Sequence, residues 1–205
     1  MTQDPLRDLS EIRQLMERSS RFLSLSGLSG VFAGTVALLG ALAAWKFLQG
    51  NYSILSVPMS QRPPGFYRFF VIDFGGILLL SISGAIYFTT RRARKNGWKV
   101  WDKTTERMLV NLAIPLLTGA AFSYLLLLHA PGLISSCTLI FYGLALINAS
   151  KYTHPDVRYL GICEIIVGIA CGWFADSGIS LLFWAFGFGL LHIVYGLVMY
   201  RKYGA

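Results

Sequence analysis

Glu164 and His192 are ionisable residues set inside the apolar runs of residues 158–203. That stretch reads RYLGICEIIVGIACGWF, then ADSG, then ISLLFWAFGFGLLHIVYGLVMYRKY. At about 1.5 Å per residue, each run is close to the length that crosses a hydrocarbon layer of about 30 Å, and the turn between them suits only a tight helical hairpin. An ionisable side chain in lipid is costly unless something compensates it, so the pair is the leading candidate site. Counted from Arg158 and Arg201, Glu164 lies about 9 Å and His192 about 13 Å inward, which lets them meet. A carboxylate beside an imidazole shares a proton near neutral pH, the chemistry of a proton-responsive or cation-binding site. The same two residues also fit a structural role, as a neutral or ion-paired cluster that fixes helix register.

Other polar residues enter the apolar runs. Asn111 and Asn148 lie about 6 and 5 Å inward from Arg107 and Lys151, so they are expected to join Glu164 and His192 in one cluster, with Tyr142 and Tyr195 adding hydroxyls. Asp73 and Lys46 form a second candidate pair near the opposite surface, read either as an ion pair joining two helices or as an outer gate for the same ion. His129, in a turn, and His154, before Pro155, are expected to be solvated. Cys137, Cys163 and Cys171 all fall within apolar runs without a CxxC pattern and read as small buried hydrophobes.

No HExxH, GxSxG, P-loop or GxGxxG pattern is present. One acid and one histidine in the last two spans are too few for a metal site, and His192 lacks a second histidine for haem. The expectation is therefore a non-enzymatic protein without metal or cofactor.

Composition sets the surroundings of these residues. Of 205 residues, 55% are hydrophobic and only 14% charged, with a mean hydropathy of +0.56. An ordinary soluble domain carries about 25% charged residues, and a β-barrel would show alternating segments of about ten residues, so the expected class is an all-α polytopic membrane protein. The net charge of +8 does not point to nucleic acid, because most Lys and Arg lie just outside apolar runs. The first apolar run follows some twenty polar residues and is too long for a signal peptide, so it is expected to remain as a span.

Residues 1–20 carry Leu6, Leu9, Ile12 and Met16 on one helical stripe, which predicts a short cytoplasmic amphipathic helix on the membrane surface or against a partner. Six spans are predicted, at about residues 22–45, 69–90, 108–128, 133–150, 159–174 and 179–200, together forming one domain over residues 21–205. Residues 49–68, with Pro58, Pro63, Pro64 and Gly65, read as a long loop. Pro115 predicts a kink in the third span, with Asn111 or a neighbouring helix satisfying the freed carbonyl. Residues 91–107 form the most basic connection and should meet anionic lipid on the cytoplasmic side. Basic and poor connections alternate along the chain, as six spans with both termini in the cytoplasm require. Small residues such as Ser26, Gly30 and Gly34 give packing faces, usable within the bundle or by a second copy or membrane partner.

Arg21, Arg107 and Arg158 each precede a large apolar residue and a Leu, and a Tyr-Gly-Leu step recurs at 142–144 and 195–197. Three tandem hairpins are the expected layout. With Gly168 and Gly172 on one helix, a short outer turn, and Gly187, Gly189 and the Tyr195-Gly196 step on the next, the last hairpin resembles the six-helix HdeD-like acid-resistance membrane proteins. The resemblance implies a small bacterial inner-membrane protein and brings no functional residues with it. Two functions follow as expectations: a structural, stress-related or accessory membrane protein, or a small proton- or cation-coupled transporter or channel using Glu164 and His192.

Overall fold

The computed structural model describes residues 26–50, 62–175 and 177–203. These are helical, with no strand among them. The helices are α1 (Gly27–Gln49), α2 (Pro64–Lys95), α3 (Lys103–His129), α4 (Ile134–Ala149, led by a 3-10 turn at Pro131–Leu133), α5 (Asp156–Gly172) and α6 (Ile179–Tyr203). Five of them, all but α5, are long and apolar enough to cross a membrane. Helix α5 has 17 residues, about 25 Å. The amphipathic helix expected over 1–20, the Arg21 step and the 51–61 part of the expected loop lie outside the described residues.

Several boundaries differ from those expected, for local reasons. Pro64 does not break a helix but starts α2, because a proline in the first turn gives up an N–H that has no helical partner anyway. The basic run is mostly helix: Arg91, Arg92, Arg94 and Lys95 close α2, and Lys103 and Arg107 open α3. Gly97 ends α2 with a φ of 67°, while the Trp98 and Gly97 amides donate to the carbonyls of Ala93 and Arg94 at 2.9 and 3.3 Å. Asp102 caps α3 by accepting from the Thr105 amide at 2.7 Å. Pro115 lies inside an unbroken α3, and the Asn111 side chain donates to the Arg107 carbonyl at 2.8 Å.

Large apolar side chains face outward, Val71 and Leu79 being 73% and 68% exposed, which a lipid solvent permits and water would not. Lipid gives apolar side chains no reason to seek one another, so the helices are held by close packing of small residues. The two broadest contacts are α4 on α5 and α1 on α6, both antiparallel. At the first, a Cβ placed on Gly143 would lie 2.5 Å from the Gly161 carbonyl oxygen, and one on Gly161 would lie 2.7 Å from that of Gly143. At the second, a Cβ on Gly196 would meet the Gly27 carbonyl oxygen at 2.6 Å. Helix α2 flanks α1, with Phe32 against Gly84, and α3 flanks α4, with Phe141 against Gly119. The four inner helices thus enclose two apolar clusters. One contains Ala37, Ala41, Ala44, Leu139, Cys171, Leu181 and Trp184; the other contains Leu146, Val157 and Leu160, with Tyr142, Leu191 and Tyr195 against it.

A side chain at Gly143 must push two backbones apart, so Gly143→Val is expected to destabilise the protein by about 3 kcal/mol. Gly76 has nothing within 4 Å of its would-be Cβ, and Gly76→Ala should be neutral or slightly stabilising by the helix preference of Ala. Equilibrium unfolding of both variants in detergent checks the contrast.

Candidate functional site

Helix α5 presents Glu164 and α6 presents His192 at the level between the two apolar clusters. Glu164 is fully buried, at 0% exposure, and neither carboxyl oxygen has a hydrogen-bond partner among the described residues. His192 is also buried, and its Nδ1 stands 3.4 Å from Glu164 Oε1. On the other side of the ring, Nε2 lies 2.9 Å from the Tyr142 hydroxyl of α4. The two residues expected from the sequence to meet are therefore adjacent, with a phenol as the third member.

Local backbone sets up this geometry. Residues Ala185–Leu191 form a π-helical stretch within α6, and His192 begins the α-helix beyond it. The wider turn lets the imidazole reach back to its own helix, with Nδ1 3.0 Å from the Gly187 carbonyl oxygen. A carbonyl oxygen only accepts, so Nδ1 carries the hydrogen and Nε2 accepts from the Tyr142 hydroxyl. Gly187 is required a second time on its other face, where a Cβ would lie 2.6 Å from Glu164 Oε2. Aromatic rings close the site: Phe188 lies with its centroid 5.0 Å from Tyr142 and 4.9 Å from Trp184. Carboxyl, imidazole and phenol thus stand in sequence, an arrangement chemically able to pass a proton from one to the next.

The asparagines do not join this cluster. Asn111, on the flanking α3, donates to the Arg107 carbonyl and lies 3.4 Å from the Tyr152 hydroxyl, and α3 packs on α4 rather than on α5 or α6. Asn148 sits at the polar end of α4, with its Oδ1 3.5 Å from Lys151 Nζ. The second candidate pair is also separated. Asp73 faces Gly40 of α1 with Oδ2 unpartnered, Lys46 is exposed, and no ion pair joins them among the described residues. Asp73 is turned toward Gly40 across the α1–α2 contact, whereas Lys46 is left exposed.

His154, expected to be solvated, is buried at 4% exposure with its ring centroid 4.1 Å from that of Tyr203. It belongs to a polar knot that closes the basic end of the bundle. Asp156 accepts from Lys202 Nζ at 2.8 and 3.0 Å and from the Tyr203 hydroxyl at 2.7 Å, and the buried Arg92 of α2 donates to the Tyr203 carbonyl at 2.7 Å. Sequence reading missed this knot and the π-helical stretch. The Gly187-Phe188-Gly189 run beside His192 was the one local sign of irregular helix, and nothing local relates Arg92 to Tyr203. Among the described residues no group of three His, Cys, Asp or Glu could hold a metal ion. No family model, no curated protein and no solved structure matches this chain.

Two outcomes follow. Tyr142→Phe removes the hydroxyl from His192 Nε2 and should destabilise the protein by about 1 kcal/mol while leaving the hydrogen on Nδ1, as ¹⁵N chemical shifts of the imidazole would record. The Lys202 ammonium, with the Tyr203 hydroxyl, holds the Asp156 carboxyl below its ordinary value of 3.8. A carboxyl depressed in the folded state adds stability that is complete above the unfolded value and is lost as pH falls through the folded one. At neutral pH, Asp156→Asn should then cost less than about 1 kcal/mol, the pair being partly open to solvent. Thermal melts should show this difference closing as the pH drops below 3.8.

Proposed function

We propose that this chain is a non-enzymatic, multi-pass protein of the bacterial inner membrane with an accessory, stress-related role, exercised through uptake and release of a proton at Glu164 and His192. Six spans are taken to form three hairpins, α5 being the short fifth one, with both termini in the cytoplasm. The alternation of basic and poor connections supports this topology, and the exposed Lys and Arg of residues 91–107, Arg92 apart, are assigned to anionic lipid headgroups. Small-residue faces outside the inner four helices are left for a second copy or a membrane partner. The resemblance of the last hairpin to HdeD-like proteins fits a stress-related role.

One observation carries the reading. Glu164 is buried completely with both oxygens unpartnered, although His192 Nδ1 is only 3.4 Å away and committed to the Gly187 carbonyl. A carboxyl kept for stability would be hydrogen-bonded, since a buried polar atom without a partner costs about 1–3 kcal/mol. A carboxyl kept for changing its charge has to be left incompletely satisfied in one state or the other.

A second reading, a small proton- or cation-coupled transporter or channel, uses the same pair and differs in requiring passage across the membrane. Three measurements on purified wild type, Glu164→Gln and His192→Ala separate the possibilities: melting temperature, pH dependence of the carboxyl infrared band, and proton flux in vesicles. The proposed role predicts loss of the pH-dependent band in Glu164→Gln, a melting temperature within about 3 °C of wild type, and no flux above protein-free vesicles. Flux that Glu164→Gln abolishes would establish the transporter instead. Melting temperatures that collapse in both variants, with no titrating band in wild type, would leave the pair a register-fixing element.

A further inference from the structure

We infer that Glu164 exchanges its proton with the basic end of the bundle only, along the path His192, Tyr142 and Tyr195. The inference rests on the proposed titration of Glu164 and adds its route and its sidedness. Its starting point is another buried polar atom without a partner among the described residues, the hydroxyl of Tyr195. Tyr195 lies three residues beyond His192 on α6, about 4.5 Å further toward the Asp156 knot. It packs with Tyr142 against the cluster of Leu146, Val157 and Leu160, and it lies within electrostatic reach of Tyr142, Asp156 and Tyr203. Tyr195 therefore stands between the Tyr142 hydroxyl, which already holds His192 Nε2 at 2.9 Å, and the polar mouth. The route requires one water between the two phenols.

The opposite direction is apolar. Beyond Glu164 come Leu139, Leu181 and Trp184, with Ala37, Ala41 and Ala44 of α1. The titratable groups facing the pair can be taken helix by helix. Among the described residues of its span, α1 offers none, and Lys46 is exposed at its far end. Helix α2 offers Asp73, on the other side of Gly40, with Phe74 of the same helix seated on Trp184 at 5.2 Å. Helix α4 offers Tyr142 and the Cys137 thiol, which points to the Gly119 carbonyl of α3. Helix α5 offers Cys171, whose thiol donates to the Ser180 carbonyl at 3.6 Å. The buried Ser136 hydroxyl of α4 donates to the Gly168 carbonyl at 2.6 Å, and among the described residues none of these groups apart from Tyr142 is hydrogen-bonded to Glu164 or His192.

The proton count favours a dead-end site. On uptake, Tyr195 receives a proton from the mouth and passes its own through the water to the Tyr142 oxygen. The Tyr142 proton then moves to His192 Nε2, and the proton on Nδ1 moves to Glu164 Oε1. One proton has entered and rests on Glu164 Oε1, the two phenol oxygens and the water end as they began, and the imidazole is left as the other tautomer. Release to the same side runs each transfer backwards and restores the hydrogen to Nδ1. Release to the opposite side would leave the ring reversed, and it would have to turn over inside a cage of Gly187, Tyr142 and Phe188 before another cycle.

The test uses wild-type protein, Tyr195→Phe and Tyr142→Phe, inserted in one orientation in phosphatidylcholine vesicles. The carboxyl infrared band that Glu164→Gln removes is followed in time after a pH step on one face. The expected result is a response to steps on the basic face alone, slowed at least about tenfold in Tyr195→Phe and in Tyr142→Phe, with the equilibrium midpoint in Tyr195→Phe within about half a pH unit of wild type. A wild-type rate in both phenylalanine variants, or an equally fast response from the other face, would overturn the route and leave Glu164 a titrating site. A wild-type spectrum without any such band would overturn the underlying reading as well. Melting curves of each variant, run beside the kinetics, identify any slowing that comes from misfolding, and a slowing confined to unfolded material counts against the route.

Discussion

Backbone-to-backbone contact at two helix crossings, Gly143 on Gly161 and Gly196 on Gly27, is the constraint from which the rest of the arrangement follows. In lipid an apolar side chain gains nothing by leaving its solvent for a neighbouring helix, so association depends on close contact over small residues. Both crossings use a Gly that directly follows a Tyr, Tyr142 in one case and Tyr195 in the other. When the glycine is pressed against a facing backbone, its neighbour is turned about 100° around the helix and its ring is carried into the space between the inner helices. The same contact that holds the bundle together thus delivers the two phenols to the interior. A substitution at either crossing glycine would loosen the site and the fold at once.

Within that frame, Glu164 is held by shape rather than by bonds. Gly187 lies against it, and the π-helical stretch that places Gly187 there also ties up the imidazole hydrogen that would otherwise serve the carboxyl. A π-helical turn wedged into an α-helix gives up regular hydrogen bonding, and here what it provides is an imidazole anchored by Nδ1, with Nε2 turned toward α4. The two apolar clusters on either side keep water from relieving the carboxyl. Anchored ring, bare carboxyl and dry walls are the combination in which a single proton changes the local energy most.

Much of this was legible in the sequence, and the rest failed for identifiable reasons. The length and polarity of the apolar runs gave the helices and their order, because both follow from composition along a single segment. The approach of Glu164 and His192 could be read by counting rise along two helices joined by a short turn, since the turn fixes their register. Asn111 and Asn148 were misplaced because depth alone says nothing about which way a side chain points around the helix. The Asp73 and Lys46 pair failed in the same way: Asp73 is turned against Gly40 of α1 while Lys46 is exposed. The α1–α6 contact, between the first and last described helices, leaves no mark in any local window, nor does the reach of Arg92 and His154 to Tyr203.

The placement of the pair on α5 and α6 follows from the same geometry. Helices α2 and α3 lie at the flanks, each packed broadly on only one neighbour, so a carboxyl on either has lipid within reach, as Asp73 does on the rim of the α1–α2 contact. Helix α6 touches α1, α4 and α5, and α5 is covered by α4 and α6. A carboxyl on the inward side of α5 is consequently shut away from both water and lipid, and the group that reaches it must come from α6 or α4. His192 and Tyr142 are those groups. Their order, imidazole next to the acid and phenol behind it, puts the least readily ionised member furthest from Glu164 and nearest the polar mouth at Asp156. On the proposed route, a proton entering from that mouth would meet hydroxyls first and the carboxyl last, so the bundle would shelter its charge without sealing it off.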